Sequence, residues 1–210
     1  GEWKDGIGRL LSGNLPEPAQ ILLEPYLSVV RALNSGKTLN QYPGSPKLAR
    51  ALLRKQDRLS AIELHPHDCG KLRALFEGDF QTRVIALDGW LALGGHVPPK
   101  EKRGLVLVDP PFEKEGEFDR IVDGLARAHR RWASGTYCLW YPIKAGNHTP
   151  SFHAKMRALG ISRILCVELN VLNQAETTGL AGSGLVIINP PFTLYCELEV
   201  LLPALHGCLS

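Results

Sequence analysis

Beyond residue 58, short apolar runs alternate with stretches whose apolar residues recur at helical spacing, and no other feature constrains the fold as strongly. LSAIELH (59–65) and RVIALDG (83–89) read as strands. HDCGKLRALFEGD between them places Leu72, Leu75 and Phe76 on one helical face. GLVLVDPPF is the next strand, and EFDRIVDGLARAHRRWA (117–133) follows as a helix with Phe118, Ile121, Val122, Leu125 and Trp132 in phase. TYCLWYPIK, PSFHAKMRALG and SRILCVELNV continue the rhythm as strand, helix and strand. Strands separated by helices can return in parallel, so the pattern predicts an α/β fold whose sheet is covered on both faces.

The last step breaks that rhythm. LNQAETTGLAGS, between Val171 and Gly184, is polar and carries no apolar helical stripe. A parallel return needs a crossover of a dozen residues or more, usually helical. Strands 161–171 and 184–188 are therefore expected to pair as an antiparallel hairpin. Upstream, residues 16–34 have helical spacing, with Pro25 arguing for a break or kink. In YPGSPKLARALLRKQD, Ser45 is placed as an N-cap and Pro46 as the first residue of a helix reaching about residue 56.

Bulk properties narrow the class. A chain of 210 residues can bury a substantial core, and its simplest reading is one domain. No apolar run approaches a membrane span, and the opening GEWKDGIGRLL has no secretory pattern. The net charge of +3 is compatible with nucleic acid without implying it. Local basic clusters, Lys100-Glu101-Lys102-Arg103, His129-Arg130-Arg131 and Arg50 with Arg54-Lys55, read first as solvated faces. Five widely spaced cysteines with no CxxC pair indicate reduced, mostly buried thiols in a cytoplasmic protein and argue against zinc.

Three successive strands are each followed by an acid: Glu63, Asp88 and Asp109. Parallel strands would bring these to one edge of the sheet, where open α/β folds bind ligands and where a carboxylate can hold ribose hydroxyls. Any one of them could equally be a helix N-cap. The DPPF motif is more specific. Two prolines stiffen the loop and remove two N–H donors, Asp109 supplies a carboxylate at its root, and Phe112 an aromatic face at its tip. A planar base with an exocyclic amine suits this arrangement: the ring stacks on Phe112 while the amine donates to the Asp109 carboxylate and the Pro110 carbonyl. Such acceptors position the nitrogen lone pair and stabilise charge. A second motif, NPPF (189–192), follows the strand read as reversed, so it should emerge at the opposite edge and serve structure.

The order of these motifs resembles the class I S-adenosylmethionine-dependent methyltransferases that act on adenine N6, with their [D/N]PP[Y/F] signature. The RlmJ family of large-subunit ribosomal RNA adenine-N6 methyltransferases is the most similar. The resemblance is carried by YPGSP (42–46), ELHP (63–66), DG (88–89), RGLVLVDPPFE (103–113), GTYCLWYPI (135–143), RILCVELNV (163–171) and SGLVIINPPF (183–192). It implies a Rossmann-like, mostly parallel sheet in residues 42–210, preceded by a helical segment, 1–41. It implies that Ser45, Glu63, Asp88, Gly89 and Asp109 contact S-adenosylmethionine. It also implies that Asp109, Pro110, Pro111 and Phe112 form the catalytic and base-binding loop. The reaction would be in-line methyl transfer to N6 of a large-subunit rRNA adenine, releasing S-adenosylhomocysteine, by a monomer with no membrane association.

The family's central strand and Gly-rich loop have no match here; GIG at 6–8 follows no strand and is a poor cofactor loop. The absent strand would lie between those of Glu63 and Asp109, so these two should not pair directly, and the native chain is expected to be longer at its N-terminus. DNA adenine is an alternative substrate, because the motif reads the base and not the sugar; a protein glutamine amide is chemically similar. A non-catalytic nucleic-acid-binding protein supporting use of external DNA is the alternative of a different class. Lys144, just past a strand, is a candidate phosphate contact.

Overall fold

The structure is a computed structural model that describes all residues except 1, 35–38, 113–115, 145–148 and 173–178. It divides into two compact units, residues 1–92 and 93–210.

The first unit opens with helices α1 (Ile7–Ser12) and α2 (Glu17–Ala32). Ile7, Leu27 and Val30 form a small core there, with Leu10, Leu23, Tyr26 and Leu39 packed against it. α2 runs through Pro25 as one element, against the expected break. Pro25 removes a single internal hydrogen bond, and the residue four positions earlier, Ile21, is exposed, so its carbonyl can turn to water. Gly6–Gly8 stand at the start of α1, not after a strand.

Next come α3 (Ser45–Leu52), β1 (Leu59–Glu63), α4 (Pro66–Leu75), β2 (Thr82–Ala86) and α5 (Gly89–Gly95). β1 and β2 pair in parallel, with Glu63 opposite Ala86. Two expectations need correction. Ser45 lies inside α3 and Gly44 is the N-cap, with no side-chain capping bond. The helix also stops at Leu52, because Asp57 takes the Arg54 N–H at 3.0 Å and both arms of its guanidinium, closing a tight turn. On α4 the covered positions are Cys69, Leu72 and Phe76, whereas Leu75 is exposed. The stripe is set by an i, i+3, i+7 spacing that begins one turn earlier, at the fully buried Cys69.

The second unit contains β3 (Leu105–Val108), α6 (Glu117–Arg131), β4 (Thr136–Lys144), α7 (Thr149–Ala158), β5 (Ile164–Asn170), β6 (Leu180–Ile188) and α8 (Leu194–Leu209). Its sheet has the order β3-β4-β6-β5. β3 and β4 are parallel, and β6 runs antiparallel to both β4 and β5. Strands β3, β4 and β5 therefore point one way and β6 alone is reversed, the arrangement expected from the polar 172–183 link. β6 begins four residues earlier than expected because its glycines let other chains cross it. A Cβ on Gly184 would fall 2.0 Å from the Tyr141 ring, and one on Gly182 2.4 Å from the Leu169 carbonyl.

β1 pairs only with β2, and β3 only with β4, among the described residues. The strands of Glu63 and Asp109 thus do not pair directly, as expected. All five cysteines are free thiols, but only Cys69 is buried, and Cys166 and Cys196 are exposed. The expectation of mostly buried thiols fails because Cys166 takes the outward phase of β5, and Cys196 lies in the first turn of a helix with no buried residue. No helix among the described residues is long and apolar enough to cross a membrane.

Candidate active site

In the first unit the carboxyl ends of β1 and β2 carry the two expected acids. Glu63 ends β1, and its Oε1 accepts the His65 N–H at 2.7 Å, bracing the turn into α4 and leaving its second oxygen unbonded. Asp88 Oδ1 accepts the N–H groups of Trp90 (2.7 Å) and Leu91 (3.3 Å), so this residue does cap α5. The cap uses one oxygen; Oδ2 has no partner among the described residues. Gly89 follows as the first residue of α5, exposed, with open space where a Cβ would stand.

α3 is anchored at its far end. Arg50 clamps Asp79 and also reaches the Gln81 side chain at 2.8 Å, immediately before β2 begins. The Leu59 N–H donates to the Gln81 carbonyl at 2.8 Å, so this clamp sits at the amino ends of both strands. Ser45 is the first residue of α3, at the end of the helix away from this clamp. The Ser45 hydroxyl is exposed and makes no hydrogen bond among the described residues. The Arg50 guanidinium holds the Asp79 carboxyl down at about 2.

The second unit places Asp109 directly after β3, at the carboxyl edge of its parallel strands. Its carboxylate accepts no hydrogen bond among the described residues, and partial desolvation raises it above the ordinary carboxylate range. Pro110 is buried beneath the loop and Pro111 is exposed. Phe112 has φ = 52°, a conformation that bulky residues rarely adopt and that persists only where surroundings impose it.

Those surroundings are aromatic. The Phe112 ring lies 5.1 Å from Phe118 at the start of α6 and 5.7 Å, edge to face, from Trp140 on β4. Behind them Phe118, Tyr141 and Phe152 pack with centroids 4.9–6.4 Å apart. The Tyr141 hydroxyl, fully buried, donates to Glu168 Oε1 at 2.9 Å and meets His153 Nε2 at 2.9 Å. Burial and the Glu168 carboxylate both raise this phenol, which stays protonated at any ordinary pH.

The sequence reading missed Trp140, Phe118 and Glu117. Trp140 was detectable in principle: Val108 pairs with Leu139, so the next position on β4 lies beside Asp109. Glu117, 5% exposed, accepts from Arg120 at 3.0 Å through one oxygen, while its other oxygen is buried without a partner among the described residues. Lys144 is exposed at the end of β4, on the same edge as Asp109 but several residues further along.

NPPF stands at the other end of the same sheet. Ile188 pairs with Tyr137 near the start of β4, so Asn189 emerges at the amino edge. Its Nδ2 donates to the carbonyls of Ala133 (2.8 Å) and Gly135 (2.9 Å), its N–H donates to the Arg163 carbonyl (2.9 Å), and its carbonyl accepts from Thr136 Oγ1 (3.1 Å). Asn189, at φ = 51°, ties three strand ends together.

An acceptor-rich prolyl loop on an aromatic wall can hold a flat amine-bearing ring. Residues 1–210 match the family described as RsmJ: Ribosomal RNA large subunit methyltransferase D, RlmJ. The chain belongs to this family of ribosomal RNA large subunit methyltransferases. It is 40% identical over 209 residues to Ribosomal RNA large subunit methyltransferase J of Escherichia coli (strain K12), aligning all of this chain with 74% of that protein. The corresponding protein of Haemophilus influenzae (strain ATCC 51907 / DSM 11121 / KW20 / Rd) is 41% identical over 211 residues, again 74% of its length. Among solved structures, protein LPL1258 from Legionella pneumophila str. Philadelphia 1, of family DUF519, superimposes with a TM-score of 0.89 at 37% identity, covering 99% of this chain and 76% of that one.

Proposed function

We propose that this RlmJ-family enzyme methylates N6 of an adenine in large-subunit ribosomal RNA, using S-adenosylmethionine. The observation that carries the reading is Asp109, a carboxylate without a partner among the described residues, at a strand's carboxyl end beside a Phe112 held by Phe118 and Trp140. The target adenine stacks on Phe112, and its N6 amine donates to the Asp109 carboxylate and the Pro110 carbonyl. With both acceptors engaged, the nitrogen lone pair is held out of the ring plane toward the incoming methyl group. The carboxylate also stabilises the cationic nitrogen that forms and offers a place for its proton. Pro110 and Pro111 keep competing N–H donors out of the pocket.

The donor fits the side chains of the first unit. Glu63 keeps a free oxygen for ribose hydroxyls, Asp88 keeps one for the adenine amine or ribose, and the Ser45 hydroxyl and the bare Gly89 backbone complete a polar edge. Bound S-adenosylmethionine supplies an electrophilic methyl group on a sulfonium. Residues 1–41 act as a helical subdomain with its own small core, and 42–210 as the catalytic part, in a monomeric cytoplasmic enzyme.

The test is methyl transfer from labelled donor to unmodified large-subunit RNA, unrelated RNA and DNA, followed by nucleoside analysis. Label in N6-methyladenosine from the ribosomal RNA is expected. Equal labelling of DNA would replace the substrate, and label on another base would discard the reading of DPPF.

A further inference from the structure

The amino edge of the second unit's sheet, opposite DPPF, gathers positive charge that none of the chemistry above uses. Lys100, Lys102 and Arg103 immediately precede β3, Arg130 and Arg131 end α6 just before β4, and Arg163 immediately precedes β5. Bonds fix all three groups to this edge. Arg131 Nε donates to the Val97 carbonyl at 3.2 Å, the Thr136 N–H to the Gly104 carbonyl at 3.2 Å, and Arg163 to the Pro190 carbonyl at 3.2 Å. All six side chains belong to exposed residues, and none forms an ion pair among the described residues. Glu101 in the same loop and Glu197 in the first turn of α8 are the acids nearest in sequence to this edge.

The NPPF motif supplies an aromatic group on this edge. Asn189 and the two prolines hold the turn rigid, and Phe192 projects from it 91% exposed. Tyr195, the second residue of α8, is 59% exposed. The Phe192 ring therefore stands in water on a stiff turn beside the cations. From β3 to β5 the edge spans three strand spacings, roughly 14 Å. Unpaired cations along such a line beside an exposed aromatic ring match a single-stranded nucleic-acid track, in which cations follow phosphates and rings stack on unpaired bases.

We propose that this edge is a second RNA-binding surface, engaging the backbone of substrate RNA away from the target adenine, with Phe192 stacking on an unpaired base. It rests on the rRNA-methyltransferase reading only for the identity of the RNA. Affinity would then come partly from RNA outside the active site, so long substrates should bind more tightly than a minimal hairpin bearing the target.

Full-length enzyme is compared with Lys102→Glu/Arg130→Glu and with Phe192→Ala, neither of which touches the DPPF loop. Direct binding to a long large-subunit RNA fragment and to a minimal target hairpin is measured across a salt series, with methyl transfer measured alongside. The charge reversal should weaken long-fragment binding at least tenfold and flatten its log–log salt slope by about two, about one for each phosphate contact removed. Phe192→Ala should weaken it severalfold without changing the slope. Hairpin binding and kcat should stay at wild-type values. Unchanged affinity and slope on the long fragment, or an equal loss on both RNAs, overturns the proposal, as does binding of acidic protein in place of RNA. If no RNA is methylated but the long-fragment effects appear, the activity reading fails and this surface stands.

Discussion

DPPF and NPPF share three of four residues and both end apolar strands of one sheet, yet their bonding is opposite. Asp109 has a carboxylate with no partner among the described residues and a neighbour, Phe112, held in an uncommon backbone conformation by other rings. Asn189 spends its side-chain Nδ2, its N–H and its carbonyl on the protein, bridging Ala133, Gly135, Arg163 and Thr136, and the uncommon φ belongs to Asn189 itself, which tolerates it. The difference teaches how to separate a reactive motif from a structural one: the reactive copy leaves its side chain without a partner among the described residues, and the structural copy ties its side chain into the backbone of its neighbours.

Four experiments test that contrast, the largest effect first. Asp109→Ala should cut methyl transfer by about 10²–10³-fold, the usual loss when one positioned group at a developing charge is removed, with a circular dichroism spectrum like wild type. Wild-type activity in this variant would end the catalytic assignment. Phe112→Leu keeps apolar bulk but loses the stacking face. It should raise KM or lower kcat/KM by about ten- to hundredfold, given about 1–3 kcal/mol per stacked base. A loss shared equally with a substrate lacking the target adenine would mean that Phe112 only packs.

Asn189→Asp should leave the active-site chemistry alone but lower stability by about 2 kcal/mol. It removes two N–H donors and turns a carboxylate toward the carbonyls of Ala133 and Gly135, and denaturant titration reads the loss. An Asn189→Asp variant as stable as wild type would break the comparison from the structural side.

The smallest effect is that of Asp109→Asn on stability, which should rise at neutral pH. The Asp109 carboxyl is raised in the fold, so its ionised form carries a desolvation penalty at every pH above its folded pKa. As pH falls below the ordinary 3.8, both folded and unfolded states protonate and the penalty vanishes. The stability difference between variant and wild type should therefore be largest at neutral pH and disappear in acid. A difference that grows toward acid would show that the carboxylate is held by an attractive partner.

Much of this site could be read along the chain because its acids follow strands, and a parallel strand delivers whatever follows it to one edge. Strand order alone put Glu63 and Asp88 at the ends of the strands of one parallel pair and Asp109 after a strand of another, where the structure has them. Ser45 was found as a residue, but its capping role was misassigned, since Gly44 and Ser45 differ by one step and only backbone angles decide which is the cap. The break foreseen at Pro25 does not occur, because the cost of a proline depends on whether the stranded carbonyl reaches water, a property of burial. Trp140 and Phe118 were missed because their relation to Phe112 runs across β4 and α6, and no local spacing records it.

What the sequence determined by itself is therefore the alternation of elements, the reversal of β6 and the identity of the prolyl motifs. Periodicity and link length are local quantities, and a polar dozen residues cannot make a parallel crossover. Only the tertiary structure decided which polar atoms are free. It closed Asn189 against three strand ends, used one oxygen each of Glu63 and Asp88 for turns, left Asp109 unbonded beside Phe112, and gathered six cations from distant segments onto one edge. Hydrogen-bond satisfaction and charge clustering are sums over neighbours in space, and the chain acquires those neighbours only when it folds.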